Sequence, residues 1–207
     1  MSRQKRSEAE LQWRRERILA ASAAVFQRVG FAAATMEEIA RESEYSPAAL
    51  YNYFRSKEDI FVAAMEQISE RFVHALSEPL PEGLPFDQVI RFRARRMVEL
   101  GFENRGILMA LEGRDGPPSL GAQALRVQHC QRRTLDPWTS LMARGQAEGA
   151  LAHHMTPEQL ASAFTGLLRG GLVTTLTDEA PPALSAMVTL CDHLIDLFLD
   201  GARRQKS

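Results

Sequence analysis

Long apolar runs are missing from this 207-residue sequence: no eighteen consecutive residues are free of charge, so no segment is expected to cross a bilayer. The charged start, Met1-Ser2-Arg3-Gln4-Lys5-Arg6, has no apolar segment behind it, and no secretion signal is expected. Cysteine is scarce. Cys130 and Cys191 cannot make a disulfide framework for a chain of this size, and their apolar settings suit buried thiols in a reducing, cytoplasmic compartment. Catalytic signatures are also lacking: there is no G-x-S-x-G elbow, P-loop, G-x-G-x-x-G or C-x-x-C. The adjacent His153 and His154 would point about 100° apart on a helix and could not easily share one ion. No enzyme and no cofactor are expected.

A composition that is 45% hydrophobic and 25% charged is that of an ordinary folded chain. The formal net charge is -1, yet its distribution is uneven. Residues 1–35 hold seven Lys and Arg against three Glu, and residues 61–207 hold 15 basic against 17 acidic groups. The positive end is the amino-terminal one.

Apolar residues recur at helical spacing almost everywhere, as in Ile18, Ser22, Val25, Phe26 and Val29, or Phe61, Ala64, Met65, Ile68 and Phe72. No strand-like alternation occurs, so an all-α fold of about nine helices is expected. The first should run over 13–29 and stop at Gly30 in a left-handed cap, with Phe31 folding back on it. Thr35-Met36-Glu37-Glu38 reads as a capping box. Ser46-Pro47 places a cap before a proline at the first helical position, and Ser56-Lys57-Glu58-Asp59 repeats the cap logic. Short helices over 36–43 and 47–53 on a tight turn, followed by a longer one over 57–76, make a helix-turn-helix. Leu50 and Phe54 would anchor its second helix with Ile39 and Ala40, which leaves Ala48, Ala49, Tyr51 and Asn52 facing outward.

After a loop over 79–85, helices are expected over 86–103, 105–112, 120–148 with a kink at Pro137, 157–177 and 181–202. The last two are apolar around more than one face, from Leu160 to Leu176 and from Leu184 to Phe198. A four-helix homodimer interface built from both would cover them, and a buried hairpin in a monomer is the competing reading. Gly166 and Gly170 would allow close backbone approach there.

The stretch 18–61 resembles the DNA-binding domain of TetR-family transcriptional regulators, above all in Thr35-Met36-Glu37-Glu38-Ile39-Ala40 and in Ser46-Pro47-Ala48-Ala49-Leu50-Tyr51-Asn52-Tyr53-Phe54-Arg55-Ser56-Lys57-Glu58. The remainder is similar only in plan. The resemblance implies a helix-turn-helix domain over 1–60, an effector-binding and dimerisation domain over 61–207, and double-stranded operator DNA as partner. It also implies phosphate contacts from Thr35, Tyr51, Tyr53 and Lys57. Ala48, Ala49 and Asn52 would then face base edges, alanine methyls toward thymine methyls and the amide toward adenine. Arg3, Lys5 and Arg6 would reach DNA or form a solvated tail. Two departures stand out: Glu44 replaces the usual glycine of the turn, so a non-glycine residue is expected at positive φ, and Glu37 sits where a phosphate would repel it.

The function implied is a ligand-responsive regulator, a repressor more than an activator, in which a small, largely apolar effector shifts the fourth helix and changes the spacing of two reading heads. Candidate effector contacts are Met97, Phe102, Met109, His129, Trp138, Met142 and Phe164, for each of which ordinary core packing competes. Two alternatives remain open: a metal- or thiol-responsive regulator using His129, Cys130, Cys191 and His193, and a helical interaction module that binds no DNA.

Overall fold

The computed structural model describes residues 3–112, 120–176 and 182–202, with side chains described for all of these except 3–7, 112, 122 and 173–176. Among the described residues there are nine α-helices and no strand. They are α1 (Arg3–Ala33), α2 (Met36–Glu42), α3 (Pro47–Tyr51), α4 (Lys57–Ser77), α5 (Phe86–Glu103), α6 (Arg105–Glu112), α7 (Ala124–Ala147), α8 (Pro157–Leu176) and α9 (Leu184–Ala202), with a 3-10 turn at Gly121–Gln123 before α7.

The expected boundaries of α5 and α6 hold, and those of α2 to α4 differ by a residue or two. α1 begins well before residue 13. Its early turns carry no apolar stripe, but Gln12 donates to Glu16 at 2.9 Å and Arg14 pairs with Glu10, both four residues apart. Residues 3–12 are therefore helix, not a tail, and the side chains of Arg3, Lys5 and Arg6 lie outside the described ones. Gly30 interrupts α1 as expected, but at φ 79° and ψ 163°, a region open to little but glycine, instead of in a left-handed cap. Phe31 still folds back, its ring 5.2 Å from Phe26 and 5.3 Å from Phe61. Val29, expected on the buried stripe, is 37% exposed. α9 starts at Leu184, after Pro182 and Ala183, which are not helical, and the start expected at 181 lies outside the described residues. The end of α8 expected at 177 lies outside the described residues.

Two compact units partition the chain: Met1–Gln67 with Asn104–Val127, and Ile68–Glu103 with Gln128–Ser207. In the first, Ile18, Val25, Phe26, Ile39, Leu50, Ile60 and Phe61 are all but inaccessible, each removed from water at a gain of about 1.5–3 kcal/mol. Here α6 lies against α1 so closely that a Cβ on Gly106 would stand 2.3 Å from the Ala23 carbonyl oxygen. Arg126 forks onto Glu66 at 2.9 and 2.7 Å and ties the start of α7 to α4.

In the second unit α9 packs on α5 and α8. Trp138 meets Phe164 edge to face and Phe164 meets Phe198 at a tilt, each pair with centroids 4.9 Å apart, and Arg95 forks onto Asp192 at 2.8 and 2.7 Å. The tight approach of α8 to α9 is at Gly171, where a Cβ would lie 2.6 Å from Leu194 Cδ1. Gly166 and Gly170 face open space in the single chain, with nothing within 4 Å of a Cβ. Ala163 is exposed beside them, and Leu197 on α9 is 63% exposed. The apolar excess of α8 and α9 is thus only partly covered by the chain itself. No helix of the described residues is long and apolar enough to cross a membrane.

Candidate nucleic-acid interface

The helix-turn-helix is set by local caps. Thr35 Oγ1 accepts from Glu38 N at 3.2 Å, while Thr35 N and Oγ1 donate to Glu38 Oε2 at 3.1 and 3.3 Å, so the capping box is complete. Ser46 Oγ accepts from Ala49 N at 3.2 Å ahead of Pro47 and starts α3. Between them the chain turns through Glu44 at φ 62°, the strained residue foreseen where glycine is usual. Arg17 holds it there, donating to Glu44 Oε2 at 2.5 Å and to the Ser43 carbonyl at 3.4 Å, with its guanidinium 5.1 Å from the Trp13 ring.

Leu50 and Phe54 are buried, and Ile39 and Ala40 with them. α3 therefore presents the opposite face: Ala48, Tyr51 and Asn52 are exposed and Ala49 half-exposed. Asn52 caps the end of α3 with its own amide hydrogen on Ala49 O and Leu50 O, which leaves its side-chain amide outward. Small methyls beside one carboxamide and one phenol form an accessible surface with no formal charge.

Tyr53 stands just past α3 and is half-buried. Its hydroxyl oxygen accepts from Arg14 Nη1 at 3.3 Å and its carbonyl from Arg15 Nη1 at 3.2 Å, while Arg15 also lies 4.4 Å from the Phe54 ring centroid. Arg14 is held above the ordinary arginine pKa by the Tyr53 hydroxyl and then by Glu10. The side of α1 that carries Arg14, Arg15 and Arg17 is thus joined to the turn and to the end of α3. Spacing along the chain gave no sign of these three contacts, since the partners stand 27 to 39 residues away.

Lys57 has a more specific setting than a solvated first-turn residue. Its ammonium donates to the carbonyls of Phe31, Ala32 and Ala34 at 2.9, 2.9 and 3.0 Å, and lies 4.9 Å from the Phe31 ring. All three donors close off the carbonyls at the end of α1. A phosphate at this position would meet a positive field, and a direct bond to it would displace one carbonyl.

The effector candidates do not all converge. Trp138, Met142 and Phe164 are buried in the second unit and Trp138 touches Phe164, while Met97 and Phe102 are half-buried there. Met109 belongs to the first unit, and His129 is exposed on the outer side of α7. The metal or thiol alternative is corrected: Cys130 and Cys191 are buried whereas His129 and His193, one and two residues away on the same helices, are exposed. No group of three or more metal-binding side chains exists among the described residues. Burial, and then the charge of Asp192, pushes the Cys191 thiol up to about 12, the reverse of a reactive cysteine.

Comparison with known proteins places this geometry. The profile described as bacterial regulatory proteins, tetR family, matches residues 18–64. The HTH-type transcriptional regulator UidR of Escherichia coli (strain K12) is 38% identical over 79 residues, 38% of this chain and 40% of that one. The chain thus matches about two fifths of the length of that relative. Among solved structures, the fatty acid degradation regulator FadR from Bacillus halodurans superposes with a TM-score of 0.77 at 16% identity, covering 89% of this chain and 94% of its own. FadR from Bacillus subtilis, solved in complex with stearoyl-CoA, gives 0.76 at 14% identity, with 91% and 99% covered. These two share the fold of both units. Residues 18–64, which hold the capped helix-turn-helix, thus match the tetR family of bacterial regulatory proteins.

Proposed function

We propose that this chain is a DNA-binding transcriptional regulator, a repressor that works as a homodimer and is released from its operator by a small molecule. The carrying observation is the outward face of α3: Ala48, Ala49, Tyr51 and Asn52 are accessible because Leu50 and Phe54 are buried beneath them. That face suits a major groove, where methyls meet thymine and the Asn52 amide meets adenine. Around it, Thr35, Tyr51 and Tyr53 supply donors for phosphate, and Lys57 adds positive field while holding the end of α1. A reading surface this neutral leaves part of the discrimination to DNA shape and to the spacing of two heads.

The functional division is the head over 1–60 and the receiver over 61–207. The partner copy docks on α8 and α9, where Ala163, Gly166, Gly170 and Leu197 form an accessible face of small and apolar groups. The effector binds among Met97, Phe102, Trp138, Met142 and Phe164, and its bulk is apolar. B. subtilis FadR, solved with stearoyl-CoA, makes fatty-acyl compounds a reasonable first set to screen. A shift of α4, whose residues are shared by both units, would carry the response to the head.

The test is selection of bound fragments from a random pool of duplex DNA. Convergence on an inverted repeat is expected, followed by release in a compound screen. A pool that never enriches at low salt would remove the proposal.

A further inference from the structure

Four arginines stand on α5, and three of them are paired. Arg91 meets Asp196, Arg95 meets Asp192 at 2.7 Å, and Arg96 meets Glu99 at 2.9 Å. Arg93 is different: among the described residues no carboxylate accepts from it, and its Nε is buried without a hydrogen-bond partner. Val89 and Ile90, one turn back along α5, are buried. The charge that Arg93 senses is of its own sign. Burial first, and then Arg144 on α7, hold the Arg93 guanidinium below its ordinary pKa. Arg144 in turn donates to Glu148 at 2.5 Å and to the Leu84 carbonyl at 2.6 Å.

A lysine so placed could shed its proton, but a guanidinium stays charged at any ordinary pH. A half-buried positive charge with an orphaned donor lacks the counter-ion that buried charges otherwise have. The planar fork of donors matches two oxygens of one carboxylate or phosphate. We propose that Arg93 binds the oxyanion of a small molecule, a carboxylate or a phosphate, in the C-terminal unit. This rests on the reading of that unit as the effector receiver and adds the charge type of the effector. The oxyanion supplies the counter-charge that, among the described residues, Arg93 alone of the four arginines of α5 lacks.

The source of the oxyanion is either inorganic phosphate or the head of an amphiphile, and three probes separate them: phosphate, decanoate and uncharged decanol, each added to the full chain in chloride buffer. Decanoate is expected to raise the unfolding temperature of the wild type and to bind at least tenfold more weakly to Arg93→Met by calorimetry. Decanol should bind both proteins equally. If the ion alone is the ligand, phosphate gives the same Arg93-dependent shift and decanoate adds nothing to it. Without any oxyanion, Arg93→Met should unfold at a higher temperature than the wild type, because it removes an uncompensated charge. Probes that shift both proteins alike, or a wild type that responds to neither oxyanion, would overturn the proposal. Should Arg93→Met fail to fold, Arg93→Lys, which keeps the charge and loses the fork, is expected to show the same loss, and an unchanged response there is equally fatal. DNA release is read separately. Binding through Arg93 without release leaves this site standing and removes the effector reading, whereas release by decanoate that is unchanged in Arg93→Met does the reverse.

Discussion

The hydroxyl oxygen of Tyr53 accepts a hydrogen bond from Arg14 across 39 residues of sequence. An acceptor bond from a guanidinium leaves the tyrosine proton available, so the same hydroxyl can donate to a phosphate while its orientation is held from α1. Tyr53→Phe should weaken binding to specific and unrelated duplexes alike, by about 1 kcal/mol or fivefold. Arg14→Gln should cost a similar amount in the wild type and much less in the Tyr53→Phe background. A double-mutant cycle by fluorescence anisotropy reads the coupling, and strictly additive losses would show that Arg14 acts without Tyr53.

Lys57 leads to an expectation about stability as well as about DNA. Its ammonium bonds three carbonyls at and just past the end of α1, so Lys57→Met should lower unfolding stability by about 0.5–1.5 kcal/mol, the net worth of such bonds where water can replace the donor. Urea unfolding measures it. If Lys57 served only as a phosphate contact, stability would be unchanged and the salt slope of DNA binding would drop by about one.

Gly106 is fixed by proximity. A methyl there would collide with the Ala23 carbonyl at 2.3 Å, and backbone cannot swing aside as a side chain can. Gly106→Ala should therefore cost about 1–3 kcal/mol by overpacking. Gly166→Ala, on an open face of the single chain, should leave monomer folding intact and act on the association constant, which sedimentation over a dilution series reports. An unaltered association constant would move the interface off that face.

Cys191 gives a dependence on pH. Its folded pKa of about 12 lies above the value near 8.5 of a solvated thiol, so the folded state holds the proton more tightly. That contribution to stability is complete below the unfolded pKa and is lost as pH rises toward the folded one. Cys191→Ala should accordingly flatten the alkaline decline in denaturant midpoint between about pH 8.5 and 12. A decline identical to that of the wild type would argue against burial of the thiol.

Much of this molecule was legible in local sequence, and what was not had a common cause. The caps at Thr35 and Ser46 act over three residues, so type and spacing were enough to place α2 and α3. The buried positions of α3 followed from Leu50 and Phe54 four apart, and the outward face by elimination. The start of α1 was missed because its early turns rest on charge pairs and not on an apolar stripe. Arg14, Arg17 and Lys57 meet partners 23 to 39 residues away, and no periodicity encodes such a pairing. Arg93 was invisible for a related reason: on α5 it is one arginine among four, and only the packed helices show that its neighbours took the acids.

Whether the face of α3 lies on duplex DNA is read from the affinity of the purified chain for a selected duplex across a range of salt concentrations. Two chains per site are expected, with a log–log slope of several from displaced counterions, and Asn52→Ala should reduce sequence preference and leave the slope unchanged. A slope near zero, or one chain that holds no duplex of any sequence at low salt, would contradict it.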